Sequence, residues 1–232
     1  IDNPGERSCG DGSGRVSLRQ AFIQSCNTPF AMGGVNVGGK KMMAQAKKFG
    51  FGTTFETPQR VSSSRFPEPS SKSALAMDSI GQQDIRVTPM QMALIGAGIA
   101  NDGVVMEPHI VKQTLTSDLD VISTTKPKEF GRAMSKTTAK HMQEMMVADV
   151  ESGTGHRAAI SGVKVAGKTG TAEINASTPP HVWFVSFAPA DDPKIAVAVV
   201  VENSGNAGWN GDGGSVAAPI ARKVIQAYLG SS

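Results

Sequence analysis

The sequence predicts an α+β fold, a mostly antiparallel sheet covered by helices. Three observations lead there. Extended segments follow one another from Val165 to Val201, and short connections make antiparallel pairing the simplest arrangement. Helices that carry their own capping residues form a block upstream of them. A long apolar helical face closes the chain. With 232 residues, 39% of them hydrophobic, there is material for one sizeable domain with a real core.

The opening, Ile1-Asp2-Asn3-Pro4-Gly5-Glu6, has no methionine and reads as the middle of a loop, so further sequence is expected upstream. Ser17-Leu18-Arg19-Gln20 is a capping-box match that starts a short helix with Leu18, Ala21 and Phe22 on one side. That helix is expected to run into Ser25-Cys26-Asn27 and stop near Thr28-Pro29, because a residue before proline leaves the α region. A second helix is expected over Lys40 to Phe49, with a core stripe of Met42, Met43, Ala46 and Phe49, closed by Gly50-Phe51-Gly52. Arg60 to Ser73, rich in serine and proline, reads as a loop.

Thr88-Pro89 is a cap with proline in the first turn, so a helix should run from Pro89 to Ala100 and end at Asn101-Asp102-Gly103. Its small residues, Ala93, Gly96, Ala97, Gly98 and Ala100, favour close packing. Ser135 caps another helix over 136–150, with Ala139, Met142, Met146 and Val150 on one face, and Ser152-Gly153-Thr154-Gly155 ends it. Val182–Ala188 alternates in the manner of a strand, and Asp191-Asp192-Pro193 turns the chain. Ile195–Val201 then reads as a strand buried on both faces. In the last helix Val216, Ile220, Val224 and Tyr228 stand beside Ala217, Ala221, Ile225 and Leu229, with Pro219 in or near the first turn.

Composition excludes several functions. A net charge of +3, with one tyrosine, two tryptophans and nine phenylalanines, gives no footprint for nucleic acid. No run of about 18 apolar residues exists to span a membrane, and no secretory leader is visible. The four histidines are scattered and the two cysteines form no C-x-x-C pair, so no metal site is expected. Cys9 and Cys26 are either a disulfide made in an oxidising compartment or two unrelated buried thiols. A bridge would stabilise by ~3 kcal/mol.

The chemistry concentrates in Val165-Ala166-Gly167-Lys168-Thr169-Gly170-Thr171-Ala172-Glu173. As an edge strand it sends Lys168 and Gly170 to one face and Thr169 and Thr171 to the other. Gly170, lacking a side chain, lets a ligand lie against the backbone. A rival reading uses the same residues. Gly162-Val163-Lys164-Val165-Ala166-Gly167-Lys168-Thr169 fits the phosphate-loop pattern G-x-x-x-x-G-K-[ST]. That pattern needs a strand before it and a helix opening after it. Here the variable positions prefer extended backbone, and Gly170 and Thr178-Pro179-Pro180 leave no room for a long helix.

Ser25-Cys26-Asn27 and Lys168-Thr169-Gly170-Thr171, in this order, resemble the S-x-N and K-T-G motifs of penicillin-recognising serine acyl transferases. Gly81-Gln82, Thr88-Pro89-Met90-Gln91, Ala100-Asn101-Asp102-Gly103, Gly153-Thr154-Gly155 and Trp183-Phe184 through Pro189 look similar too. The resemblance covers nearly the whole chain and is most specific to class B penicillin-binding proteins, the peptidoglycan D,D-transpeptidases, with an actinobacterial branch nearest in pattern. It implies a penicillin-binding/β-lactamase-like transpeptidase fold, with residues 1–232 the C-terminal part of one domain. It departs in one place. The S-x-x-K motif that carries the nucleophile should precede Ser25, and no match does. Ser123-Thr124-Thr125-Lys126 runs into Pro127, and Ser161-Gly162-Val163-Lys164 overlaps the lead-in to the strand. The nucleophile and its lysine are therefore expected upstream, on a protein anchored at the extracytoplasmic face of the membrane by an N-terminal segment.

The resemblance also implies roles. Ser25 would relay a proton toward the leaving group, and Asn27 would bond the substrate's peptide carbonyl. Lys168, cationic with an ordinary pKa, would hold Ser25 and draw in a carboxylate. Thr169 and Thr171, around Gly170, would bind the terminal carboxylate of a D-Ala-D-Ala stem peptide or of a β-lactam, without a cofactor. The Thr171 N–H would be one oxyanion donor. Such a cleft requires a twist or bulge to bring Lys168 and the threonine hydroxyls together. The bland roles are a helix-end hydroxyl for Ser25, a helix cap for Asn27, a solvated strand lysine for Lys168 and strand propensity for the threonines. A β-lactamase and a non-catalytic β-lactam or muropeptide sensor are the alternatives within the superfamily.

Overall fold

The computed structural model of the chain describes residues 3, 9, 10, 13, 15–59 and 61–230. Arg60 and most of the opening stretch lie outside the described residues. Among the described residues seven α-helices and seven strands appear in the order α1 (Leu18–Ile23), α2 (Asn27–Val37), α3 (Gly39–Lys48), α4 (Lys72–Asp78), α5 (Pro89–Ala100), β1 (Val104–Met106), β2 (Gln113–Leu115), β3 (Val121–Thr124), β4 (Glu129–Arg132), α6 (Lys136–Ser152), β5 (Ala166–Ala172), β6 (His181–Ala188), β7 (Ile195–Val201) and α7 (Ala218–Gly230).

The frame is the antiparallel sheet β5-β6-β7, whose register runs without a bulge from Ala166↔Phe187 to Ala172↔His181. Phe184, with Val150, Ala217, Ala221 and Ile225, fills the core under α7. Phe187, with Ile99, Met146 and Ala166, fills the core under α5 and α6. The small residues of α5 allow this approach, since a Cβ on Gly96 would stand 3.0 Å from Val185 Cγ1.

Local signals place most helix starts. Ser17 and Gln20 form the reciprocal capping box of α1. Thr88 Oγ1 accepts from Gln91 N, with Pro89 in the first turn of α5, and Ser135 Oγ accepts from Thr138 N at the start of α6. The end of α1 differs from expectation. The helix stops at Ile23, Ser25 turns through φ 57°, and α2 begins at Asn27, so Pro29 sits in a first turn instead of ending a helix. A first-turn N–H has no helical acceptor, so proline costs nothing there. The 60–73 loop gives way to α4 at Lys72, capped by Ser71.

Burial is less complete than the patterns imply. Met42 and Met43 are half-buried, and β7 is half-buried along its length, being one of the two outer strands of the sheet among the described residues. Ala217, just ahead of α7, and Ala221 and Ile225 on it are buried, while Ile220, Val224 and Tyr228 remain exposed. Strands β1 to β4 form two small antiparallel pairs, β1-β4 and β2-β3, which the sequence patterns do not signal.

Candidate active site

Lys168 lies in the middle of β5, so no helix opens at residues 162–169 and the phosphate-loop reading is overturned. No bulge is needed either. Lys168 and Thr169 project to opposite faces of an unbroken strand, and the lysine stem reaches round to the threonine. Lys168 Nζ donates to Ser25 Oγ at 2.9 Å, to Thr169 Oγ1 at 3.1 Å and to the Thr169 carbonyl at 3.3 Å. Its ammonium also stands 5.6 Å from the Phe22 ring centroid. Burial among these groups lowers the lysine's pKa, and the charge of Asp149 works against that shift. The expectation of an ordinary pKa for Lys168 is therefore corrected.

Ser25 is presented by strain. Its φ of 57° is unusual for a residue with a side chain, and the turn is tied by Ser25 N to Phe22 O and Cys26 N to Ala21 O. The next residue, Cys26, is buried and joined to Cys9 by a disulfide. Two residues on, Thr28 donates its N–H and hydroxyl to Asn3 Oδ1 at 3.1 and 3.2 Å. The Ser25 turn is thus clamped from the N-terminal side. Asn27 opens α2 instead of capping the end of a helix.

The outer edge of β5 is the other wall. In an antiparallel strand the N–H and C=O of one residue point the same way. The Thr169 carbonyl points away from β6 to Lys168, and the Thr171 carbonyl points away to Gln82 Nε2 at 3.1 Å. The Thr171 N–H therefore also faces out from the sheet. Gln82 Oε1 in turn accepts from Glu173 N at 3.2 Å, so its amide clips the end of the strand like one residue of a further strand. Thr171 itself is exposed. A Cβ on Gly170 would lie 3.2 Å from Trp183 Cβ, so this glycine also eases packing against the neighbouring strand.

Behind the wall stands Asp149 of α6, fully buried. Its Oδ1 accepts the N–H and the hydroxyl of Thr154 at 3.1 and 3.0 Å. The Thr154 hydroxyl is 2.6 Å from Thr169 Oγ1. Burial raises the carboxyl's pKa, and Lys168 and Thr154 oppose the rise. Sequence reasoning missed Asp149 as a site residue. The sign of it is Gly153-Thr154-Gly155, because a Cβ on either glycine would come within 2.6 Å of an Asp149 carboxylate oxygen. Neither later S-x-x-K match sits on a helix. Ser123 is in β3, and Lys164 pairs with Asp191 at 2.7 Å.

Residues 4–226 match the family described as the penicillin binding protein transpeptidase domain. The chain belongs to that family. It is 44% identical to the peptidoglycan D,D-transpeptidase PbpA of Mycolicibacterium smegmatis, over 99% of this chain and 47% of that protein. Penicillin-binding protein A from M. tuberculosis, solved as a penicillin G acyl-enzyme complex, superposes with a TM-score of 0.91 at 42% identity, covering 99% of this chain and 52% of that one. The D,D-transpeptidase domain of a peptidoglycan glycosyltransferase from Eggerthella lenta gives 0.88 at 31% identity, covering 100% and 57%. The chain thus spans about half the length of the curated relative it matches.

Proposed function

We propose that the protein carrying this chain is a serine-type D,D-transpeptidase that cross-links peptidoglycan stem peptides ending in D-Ala-D-Ala and is acylated by β-lactams. One observation carries the reading: Lys168 Nζ holds Ser25 Oγ at 2.9 Å beside a strand edge that offers the outward N–H of Thr171. In this reading residues 1–232 are the C-terminal part of one transpeptidase domain, and the nucleophilic serine comes from S-x-x-K upstream. Its oxygen adds to the penultimate D-Ala carbonyl as its proton passes to the lysine of that motif, and the oxyanion is held by N–H donors including that of Thr171. The C–N bond breaks as Ser25 passes a proton to the departing D-Ala amine. An amine of a second stem peptide then takes the acyl group and releases the serine. Asn27 bonds the substrate's peptide carbonyl. Thr171, exposed at the strand edge beyond Gly170, receives the terminal carboxylate that Lys168 attracts, while the Thr169 hydroxyl holds the lysine from the other side. No cofactor or nucleic acid enters this scheme.

The lactamase alternative needs a carboxylate that positions water against the acyl-enzyme. Asp149 is buried behind this wall, with its Oδ1 taken by the N–H and hydroxyl of Thr154, whose hydroxyl in turn meets that of Thr169. The Cys9–Cys26 bridge suits an oxidising compartment, in keeping with a catalytic domain at the extracytoplasmic face of the membrane, anchored by an N-terminal segment. The test is to incubate the full-length protein with a fluorescent penicillin and, separately, with synthetic stem peptides. The proposal expects a stable adduct and penicillin-sensitive cross-linking. Rapid release of the label would support a lactamase, and a stable adduct without cross-linking would support a sensor.

A further inference from the structure

We propose that Asp149 is the counter-ion of Lys168, coupled to it through the hydroxyls of Thr154 and Thr169, and that this array holds Lys168 as the ammonium that positions Ser25. Asp149 is a positioning residue, since it touches neither Ser25 nor any reacting atom, and its part in acylation rests on the transpeptidase reading above.

The hydrogen bonds run in one direction when both ends are charged. Lys168 has three N–H groups and three oxygen acceptors, namely Ser25 Oγ, Thr169 Oγ1 and the Thr169 carbonyl. Having accepted from the lysine, the Thr169 hydroxyl has its own hydrogen to donate to Thr154 Oγ1. Thr154 in turn donates its hydroxyl hydrogen to Asp149 Oδ1, which also takes the Thr154 backbone N–H. Both threonine hydroxyls donate once and accept once, and the chain ends on a carboxylate that can only accept. Such ionic hydrogen bonds are stronger than neutral ones and reinforce each other in a low-dielectric site.

The surroundings leave Asp149 as the balancing charge. The other ionisable groups on α1 and α6 and beside the Gly213–Ala217 segment (Arg19, Lys136, Lys140, His141, Glu144, Glu151 and Asp212) are exposed to solvent, and His181 on β6 accepts from Asn203 N. Among the described residues Asp149 is the only charged group that acts appreciably on Lys168. The lysine's other named neighbours among the described residues are the Phe22 ring, the Ser25 and Thr169 hydroxyls and the Thr169 carbonyl, none of them charged. Gly153 and Gly155 enclose the carboxylate tightly enough to fix its direction.

The test uses the full-length protein labelled with [ε-13C]lysine. Lys168 is titrated by NMR in wild type, Asp149→Asn, Thr154→Val and Thr154→Ser. Loss of the carboxylate, or of the hydroxyl that connects it, should move the Lys168 midpoint to lower pH. Serine restores the hydroxyl and the wild-type midpoint. Acylation by a fluorescent penicillin should follow, falling by about tenfold at about pH 9 in Asp149→Asn and Thr154→Val and staying within about twofold at about pH 6.5. Thr154→Val guards against a folding defect in Asp149→Asn. An unchanged Lys168 midpoint in both variants overturns the proposal. A wild-type protein that never reacts with penicillin removes the transpeptidase reading instead, and the titration still decides the relay.

Discussion

Lys168 Nζ and Ser25 Oγ lie 2.9 Å apart although 143 residues separate them in the chain. Two constraints produce the contact. The lysine is fixed by an unbroken strand register, and the serine by a left-handed turn between two short helices. The turn predicts a split between stability and function. Glycine tolerates φ 57° and alanine does not, so Ser25→Gly should be more stable than Ser25→Ala by about 1 kcal/mol. Both should lose acylation by about a hundredfold or more, because neither offers a hydroxyl to relay a proton. Denaturant melts and acylation rates on the same preparations check this.

Reducing the Cys9–Cys26 bridge should cost ~3 kcal/mol of stability. It should slow acylation more than it alters secondary structure, since Cys26 directly follows Ser25. Thermal melts with and without reductant, beside acylation rates, measure both effects.

Gly167→Ala should destabilise by ~1–3 kcal/mol. Its Cβ would lie 2.3 Å from Cζ of Phe184, a fully buried ring in the core under α7. Chemical denaturation gives the figure, and a neutral outcome would mean that the ring can move aside.

The buried carboxylate predicts a pH effect of unusual sign. Asp149 has its pKa raised on folding, mainly by desolvation. The folded state therefore binds the proton more readily than the unfolded state. The cost of burying the charge is present above the raised pKa and disappears as pH falls through it. Relative to Asp149→Asn, the wild type should gain stability as the medium is acidified through that window, down to the ordinary carboxylate range. Urea midpoints of both proteins across that range test the sign.

Much of this was legible in the residues, and the gaps have physical causes. Thr88-Pro89 and Asn101-Asp102-Gly103 bound α5 because cap, first-turn proline and glycine act locally. The Lys168 strand and the Ser25 turn were readable as motifs in order. The start of α2 was not, because Thr28-Pro29 satisfies the rule for ending a helix and the rule for beginning one, and only tertiary context chooses. Asp149 was hidden for another reason. On α6 it stands among acidic residues such as Glu144 and Glu151 that stay in solvent, and periodicity does not mark which carboxylate is buried. Strands β1 to β4 are three or four residues long, too short for a period to emerge.

The most direct test of the account is the acylation rate of Lys168→Ala in the full-length protein, measured with a fluorescent penicillin beside a melt of the same sample. Removing the ammonium takes away the group that holds Ser25 and attracts the carboxylate, so labelling should be lost with the fold retained. Labelling at the wild-type rate would contradict it.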